Sequence, residues 1–203
     1  MSYGCRAARL MRRVIGGGVI LLTIAVVPPL ATAQGAIIVP GESIGSVRLG
    51  QDIAAAIQDL GLLHSQDDLP RNLTAYYWPL KRIGAIVSQT THRILALGAS
   101  LDDSYRTDKD IAAGTEALTV RVAYGPEEIL EDRAGDQTLI YDKRGVAFVV
   151  DKSGALRGRV SVIFIFVLGR YHEIFPAQLK WQQRRCFETV QSAQSTCVRG
   201  GEG

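Results

Sequence analysis

The sequence predicts an α+β protein: two tandem helix-plus-antiparallel-meander repeats after an N-terminal signal peptide. Three observations lead there. KRIGAIV at residues 81–87 returns as KRGVAFVV at 143–150, a helix-sized segment between two glycines precedes each phrase, and the first 33 residues have the layout of an export leader. A helix followed by antiparallel strands, present twice, segregates its elements as α+β folds do. The expected boundaries are residues 1–33 for the leader, 40–107 for the first repeat, 108–168 for the second and 169–203 for a C-terminal tail.

The leader comes first. Arg6, Arg9, Arg12 and Arg13 precede an apolar run over 14–27, then Pro28-Pro29 and the small triplet Ala31-Thr32-Ala33. That is a positive n-region, an h-region and an A-x-A site, with cleavage expected between Ala33 and Gln34 and a periplasmic or secreted address. An uncleaved single-span anchor is the alternative; the run is short for a bilayer, holds Gly16-Gly17-Gly18 and ends in prolines. Removing the four leader arginines from the 23 basic residues leaves 19 against 20 acidic ones, a formal charge of −1. The basic character therefore belongs to the leader, and composition gives no support for a nucleic-acid partner.

The first repeat opens with a helix between Gly50 and Gly61. Gln51-Asp52 suits a helix N-terminus, Gly61 suits the left-handed position that ends one, and Ile53, Ile57 and Leu60 recur on one face. The second helix, 115–124, lies at an offset of 64 residues, between Gly114 and Gly125, with Pro126 forbidding continuation. Here Leu118, Val120 and Val122 alternate as in a strand, and the flanking glycines carry the helical assignment. Strands are expected at 83–87 and 94–101 around a turn at 88–93. In the second repeat they fall at 139–141 and 146–150, before a turn at 151–154. VSVIFIFVL at 160–168 reads as a central strand buried on both faces.

These short motifs, a glycine-bounded helix followed by a polar connection and an aromatic-Gly-hydrophobic strand, resemble the module of BamE-like exported bacterial proteins. The tandem form is similar to the β-lactamase-inhibitor-protein fold. The resemblance covers roughly residues 40–168. It implies a non-enzymatic envelope protein whose sheets bind another protein, and it transfers no binding residue. Two features depart from it: the chain lacks a lipidation cysteine, and its expected disulfide lies outside both repeats.

That disulfide joins Cys186 and Cys197, the two cysteines left after the leader's Cys5. Two cysteines in an exported chain usually pair, and closing so short a loop stabilises by roughly 3 kcal/mol in the chain-entropy account. The ten-residue gap holds no histidine and matches no zinc or C-x-x-C pattern.

No phosphate-binding loop, H-E-x-x-H or G-x-S-x-G occurs, so the expectation is a protein that is not an enzyme and uses no cofactor or metal. His64, His92 and His172 fall in three separate polar loops. They read as surface residues; the sharper alternative gathers His92 or His172 with Glu173 and an aspartate into a metal or acid/base site. Asp67-Asp68 with Asp59, and Glu127-Glu128 with Glu131-Asp132, read as solvated loop charge in matching connections. If the repeats share one sheet, they would form an acidic rim on one side.

Tyr76, Tyr77 and Trp78 are the candidate binding residues, because Tyr and Trp bury much area at little entropic cost; the alternative has them alternating into the core. In the tail, Trp181 either packs over the sheet or sits in a basic helix facing anionic lipid. The function these features predict is protein binding in the cell envelope, as assembly factor or inhibitor. The partner would be an envelope or secreted protein, with membrane contact only through an uncleaved leader. The alternative is a periplasmic small-ligand or lipid-binding protein.

Overall fold

The computed structural model describes residues 36–100 and 104–175. The leader and the expected Cys186–Cys197 disulfide lie outside the described residues. The elements run β1 (Ala36–Val39), β2 (Ser43–Ile44), β3 (Val47–Arg48), α1 (Ile53–Leu60), β4 (Ser65–Leu69), β5 (Leu73–Trp78), β6 (Ile83–Ser88) and β7 (Ile94–Ser100). They continue β8 (Tyr105–Thr107), α2 (Ala117–Tyr124), β9 (Ile129–Asp132), β10 (Asp136–Tyr141), β11 (Val146–Asp151), β12 (Val160–Phe166) and α3 (Tyr171–Ile174).

The expected α+β class is corrected. Strand makes up 45% of the described residues and helix 17%, so the fold is mostly β. In place of helix-plus-meander repeats there is one eight-stranded antiparallel sheet in the order β4-β5-β6-β7-β12-β11-β10-β9, and a four-stranded mixed sheet in the order β3-β2-β1-β8. Two physical reasons account for the difference. Each main helix has only eight residues, about two turns, too little to form a layer of its own. Strands β7 and β12 are apolar on both faces and pair over five residues, from Val162↔Ser100 to Phe166↔Ala96, which fuses all eight strands. The second sheet comes from segments too short to be read as strands, with β1 and β8 pairing in parallel.

Both helices lie against the first face of the large sheet and are anchored at each end. Asp52 caps α1 by accepting the Ala54 N–H at 2.9 Å. Glu116 makes no capping bond at α2 and instead meets the Arg159 guanidinium at 2.9 Å. Arg93 and Arg159 donate to the carbonyls of Gly50 and Gly114, at 3.3 and 2.9 Å. At the other ends Trp78 Nε1 donates to Gly61 O at 2.8 Å, and the Tyr141 hydroxyl to Gly125 O at 2.9 Å. Gly61 and Gly125 have φ of 103° and 86°, values that only glycine adopts without strain.

The core on this face joins Ile53, Ala117, Val120 and Tyr124 of the helices to Leu97, Phe148 and Ile163 of the sheet and to Ile38 and Ile44 of the small sheet. A second core on the opposite face gathers Ile140, Ala147 and Phe166 under Tyr171, Ile174 and Phe175. None of the described helices is long and apolar enough to cross a membrane.

The expected single acidic rim is also corrected. Asp67 and Asp68 lie on β4, and Glu131 and Asp132 on β9, the two outer strands of the large sheet. Seven strand spacings separate them, about 34 Å. Charge on outer strands discourages edge-to-edge pairing.

Candidate functional site

The most distinctive concave feature lies on the second face of the large sheet, where α3 does not reach. Cross-strand register builds it in two rows. One row runs Tyr77, Gly84, Gly98, Phe164 across β5, β6, β7 and β12. The next runs Asp67, Ala75, Ile86, Ala96, Phe166 from β4 to β12. Residues paired in this way share a face, so the first row places two glycines between two aromatic rings. The backbones of Tyr77 and Phe164 stand three strand spacings apart, about 14 Å. Between them lies a shallow hollow of about 20 Å³ over Ala75, Gly84, Ala96 and Gly98, of which Gly84, Ala96 and Gly98 are buried.

Gly98 is required by close approach. A Cβ there would lie 2.7 Å from Cε1 and 2.9 Å from Cδ1 of the Phe164 ring, which leans over this strand. Asp67 is the single ionisable carboxylate among the lining residues, at the outer edge on β4. The lining is otherwise almost wholly apolar, so the chemistry on offer is apolar contact.

Strand alternation divides the predicted binding residues. Tyr77 faces the hollow, whereas Tyr76 and Trp78 face the helices. Trp78 is 1% exposed, its ring stacks on Tyr76 at 6.1 Å, and His64 lies 5.5 Å from each. His64 Nδ1 is buried without a hydrogen-bond partner. Sequence reasoning missed Ala75, Gly84, Ala96 and Gly98; the alternation of small residues on three consecutive strands was the available signal, and it needs the register to be recognised.

The histidines are not brought together. His64 sits after α1, His92 closes the β6–β7 turn at φ 54°, and His172 lies in α3 beside the Tyr171 ring at 5.5 Å. Among the described residues no group of three or more His, Cys, Asp or Glu side chains is arranged to hold a metal ion. A second, polar concavity lies at the hairpin tips between Arg71, Asn72, Thr90 and Arg170, where Arg170 Nε is paired with Glu173 at 2.7 Å.

Helix α3 is tied down firmly beside the hollow. The Tyr171 N–H donates to Asp142 Oδ1 at 3.1 Å and its hydroxyl to Glu131 Oε2 at 3.4 Å. Burial, with the nearby Glu131 carboxylate, pushes the Tyr171 phenol far above its ordinary value. Phe175 then packs against Phe164 at 5.3 Å and Phe166 at 5.9 Å, at the inner wall of the hollow.

No family model matches the chain, and no curated protein matches it. Among solved structures, a cysteine-rich secretory protein from Staphylococcus aureus subsp. aureus Mu50 is similar over 66% of this chain and 49% of its own, at 15% identity and a TM-score of 0.41. The chain spans about half the length of that protein, and the likeness is too distant to assign a fold or a function.

Proposed function

We propose that the chain is an exported, non-catalytic protein-binding module of the cell envelope, and that its second sheet face receives a bulky apolar side chain from a polypeptide. One observation carries this reading: the Tyr77–Gly84–Gly98–Phe164 row, two rings flanking a floor without side chains. A slot of that form rewards an aromatic or large aliphatic anchor, the kind of residue that dominates binding energy in protein interfaces. The reading agrees with the resemblance of the sequence to BamE-like exported proteins. The periplasmic or secreted address and cleavage at Ala33 belong to the same proposal.

A second reading, a small-ligand or lipid-binding protein, rests on the apolar lining of the hollow. The two separate in one experiment. A photo-reactive amino acid replaces Asp67 in the full chain, expressed in its host, with and without Ala75→Phe to fill the hollow. Protein binding predicts a discrete protein adduct that Ala75→Phe abolishes. Adducts to lipid or small molecules alone, with the same sensitivity, support the ligand reading. Adducts indifferent to Ala75→Phe reject the hollow as the site.

A further inference from the structure

Three leucines stand out from one end of the large sheet, on two neighbouring turns. Helix α1 stops at Gly61, and Leu62 and Leu63 follow at 82% and 73% exposure. The His64 N–H donates to Leu62 O at 3.0 Å, which closes a three-residue turn with Leu63 at its apex. Between β5 and β6 the Lys81 N–H donates to Trp78 O at 3.2 Å. That bond makes a β-turn centred on Pro79 and Leu80, and Leu80 is 74% exposed. Both turns lie at the same end of the sheet, because Ser65, where β4 begins, pairs with Tyr77 near the end of β5. The Trp78 indole joins them through its 2.8 Å bond to Gly61 O, and the His64 ring packs 5.5 Å from that indole.

Backbone bonds and the rings beneath hold each turn, so the leucines are kept in solvent rather than folded back onto the core. Single apolar residues scattered over a surface are ordinary, whereas several gathered on adjoining turns mark an interaction site. Shape and charge select the partner. The leucines crown convex turns, while sites for small molecules are concave. Residues 61–64 and 79–82, GLLH and PLKR, contain no acid. Lys81 is exposed and its ammonium has no ion pair among the described residues. Aliphatic tips beside an uncompensated cation complement a negatively charged bilayer. The apolar side chains enter the boundary between headgroups and acyl chains, and the lysine remains among the headgroups.

We propose that the turns carrying Leu62, Leu63 and Leu80 form a membrane-docking surface that inserts into the headgroup region of an anionic bilayer, with Lys81 at the lipid headgroups. The inference goes beyond the protein-binding reading and does not depend on the hollow.

The test places an environment-sensitive fluorescent amino acid in the full chain, in place of Leu80. A reference chain carries it in place of Thr90, in the β6–β7 turn at the opposite end of the sheet. Vesicles are phosphatidylcholine alone or phosphatidylcholine mixed with phosphatidylserine. The probe at 80 is expected to brighten several-fold on the mixed vesicles and to be quenched by lipids spin-labelled near the headgroup. The probe at 90 stays in water, so attachment through another part of the chain does not imitate the signal. Burial of a leucine is worth roughly tenfold or more, so Leu62→Ser with Leu63→Ser lowers the insertion constant about a hundredfold. Lys81→Glu lowers it about fivefold or more, on the mixed vesicles only. The substituted side chains are exposed, and unchanged urea midpoints show that the variants keep the fold. A probe at 80 that responds no more than one at 90 overturns the inference, as does a response indifferent to the leucine and lysine changes. A probe that stays in water on both vesicles, yet brightens with a protein partner captured through position 67, makes these turns a protein contact and overturns it too.

Discussion

The Phe164 ring stands directly over Gly98 on the neighbouring strand, close enough that a Cβ at 98 would be 2.7 Å from it. The contact locks the inner wall of the hollow to the seam between β7 and β12, the pairing that joins the two halves of the large sheet. Wall and seam are therefore tested together. Gly98→Ala forces the ring to shift within a packed face and is expected to cost about 1–3 kcal/mol. Phe164→Leu opens room at the same point, so the double variant is expected to lose less than the two single losses added together. Urea midpoints of the four proteins measure the coupling; strict additivity would show that the ring does not rest on this glycine.

The helix anchors give a second prediction. Trp78 and Tyr141 both donate to the carbonyl of a helix-ending glycine, and both are 1% exposed. Tyr141→Phe keeps the ring in place and removes only the hydroxyl, an expected cost of about 1 kcal/mol. Trp78→Phe removes the donor and part of the ring volume beneath α1, so about 2–3 kcal/mol is expected from bond and cavity together. Thermal unfolding of both variants ranks them. Equal losses would mean that the indole contributes only through its hydrogen bond.

Helix α2 can be checked by its two faces. Val120 is fully buried, whereas Leu118 and Val122 are 69% and 80% exposed. A strand would have placed all three on one side. Val120→Ala is expected to destabilise by about 1–3 kcal/mol, and Leu118→Lys or Val122→Lys to change stability by no more than about 0.5 kcal/mol. A large loss at 118 or 122 would point to a covering surface on this helix.

This contrast marks where sequence reasoning succeeds. Local backbone punctuation was legible: Gly61 and Gly125 end helices as expected, and the second helix forms despite the alternating Leu118, Val120 and Val122 because Ala117, Val120 and Tyr124 supply a buried stripe. The apolar runs became β6, β7, β11 and β12. Strand β4 was not legible, since SQDDL is an outer strand whose polar residues need not alternate. Nor was the hollow. Its floor comes from Ala75, Gly84, Ala96 and Gly98, residues that carry no chemical signature of their own. Their adjacency exists only once β5, β6 and β7 are in register, and the Phe164 wall only once β12 has crossed back beside β7. The trio Tyr76, Tyr77 and Trp78 drew notice as a block, but the two-residue period of a strand sends Tyr77 to one face and its neighbours to the other.

The last prediction concerns pH. Arg121 Nε and Nη2 reach both oxygens of Glu127 at 2.9 and 2.8 Å, joining the final turn of α2 to the connection before β9. These bonds outweigh burial and hold the Glu127 carboxyl below its ordinary value. A carboxyl whose folded pKa lies below the unfolded one stabilises the fold above the unfolded value, about 4.3, and loses that stabilisation as pH falls through the folded value. The Arg121 side chain is 35% exposed, so solvent screens the pair and the expected contribution is about 0.5–1 kcal/mol. Glu127→Gln removes the charge at every pH. Its urea midpoint is expected to lie below that of the parent at neutral pH, and the gap to close as pH falls through the folded value of Glu127, where the parent's own carboxylate becomes protonated. A gap that stayed constant into acid would assign the loss to shape or hydrogen bonding rather than to the ion pair.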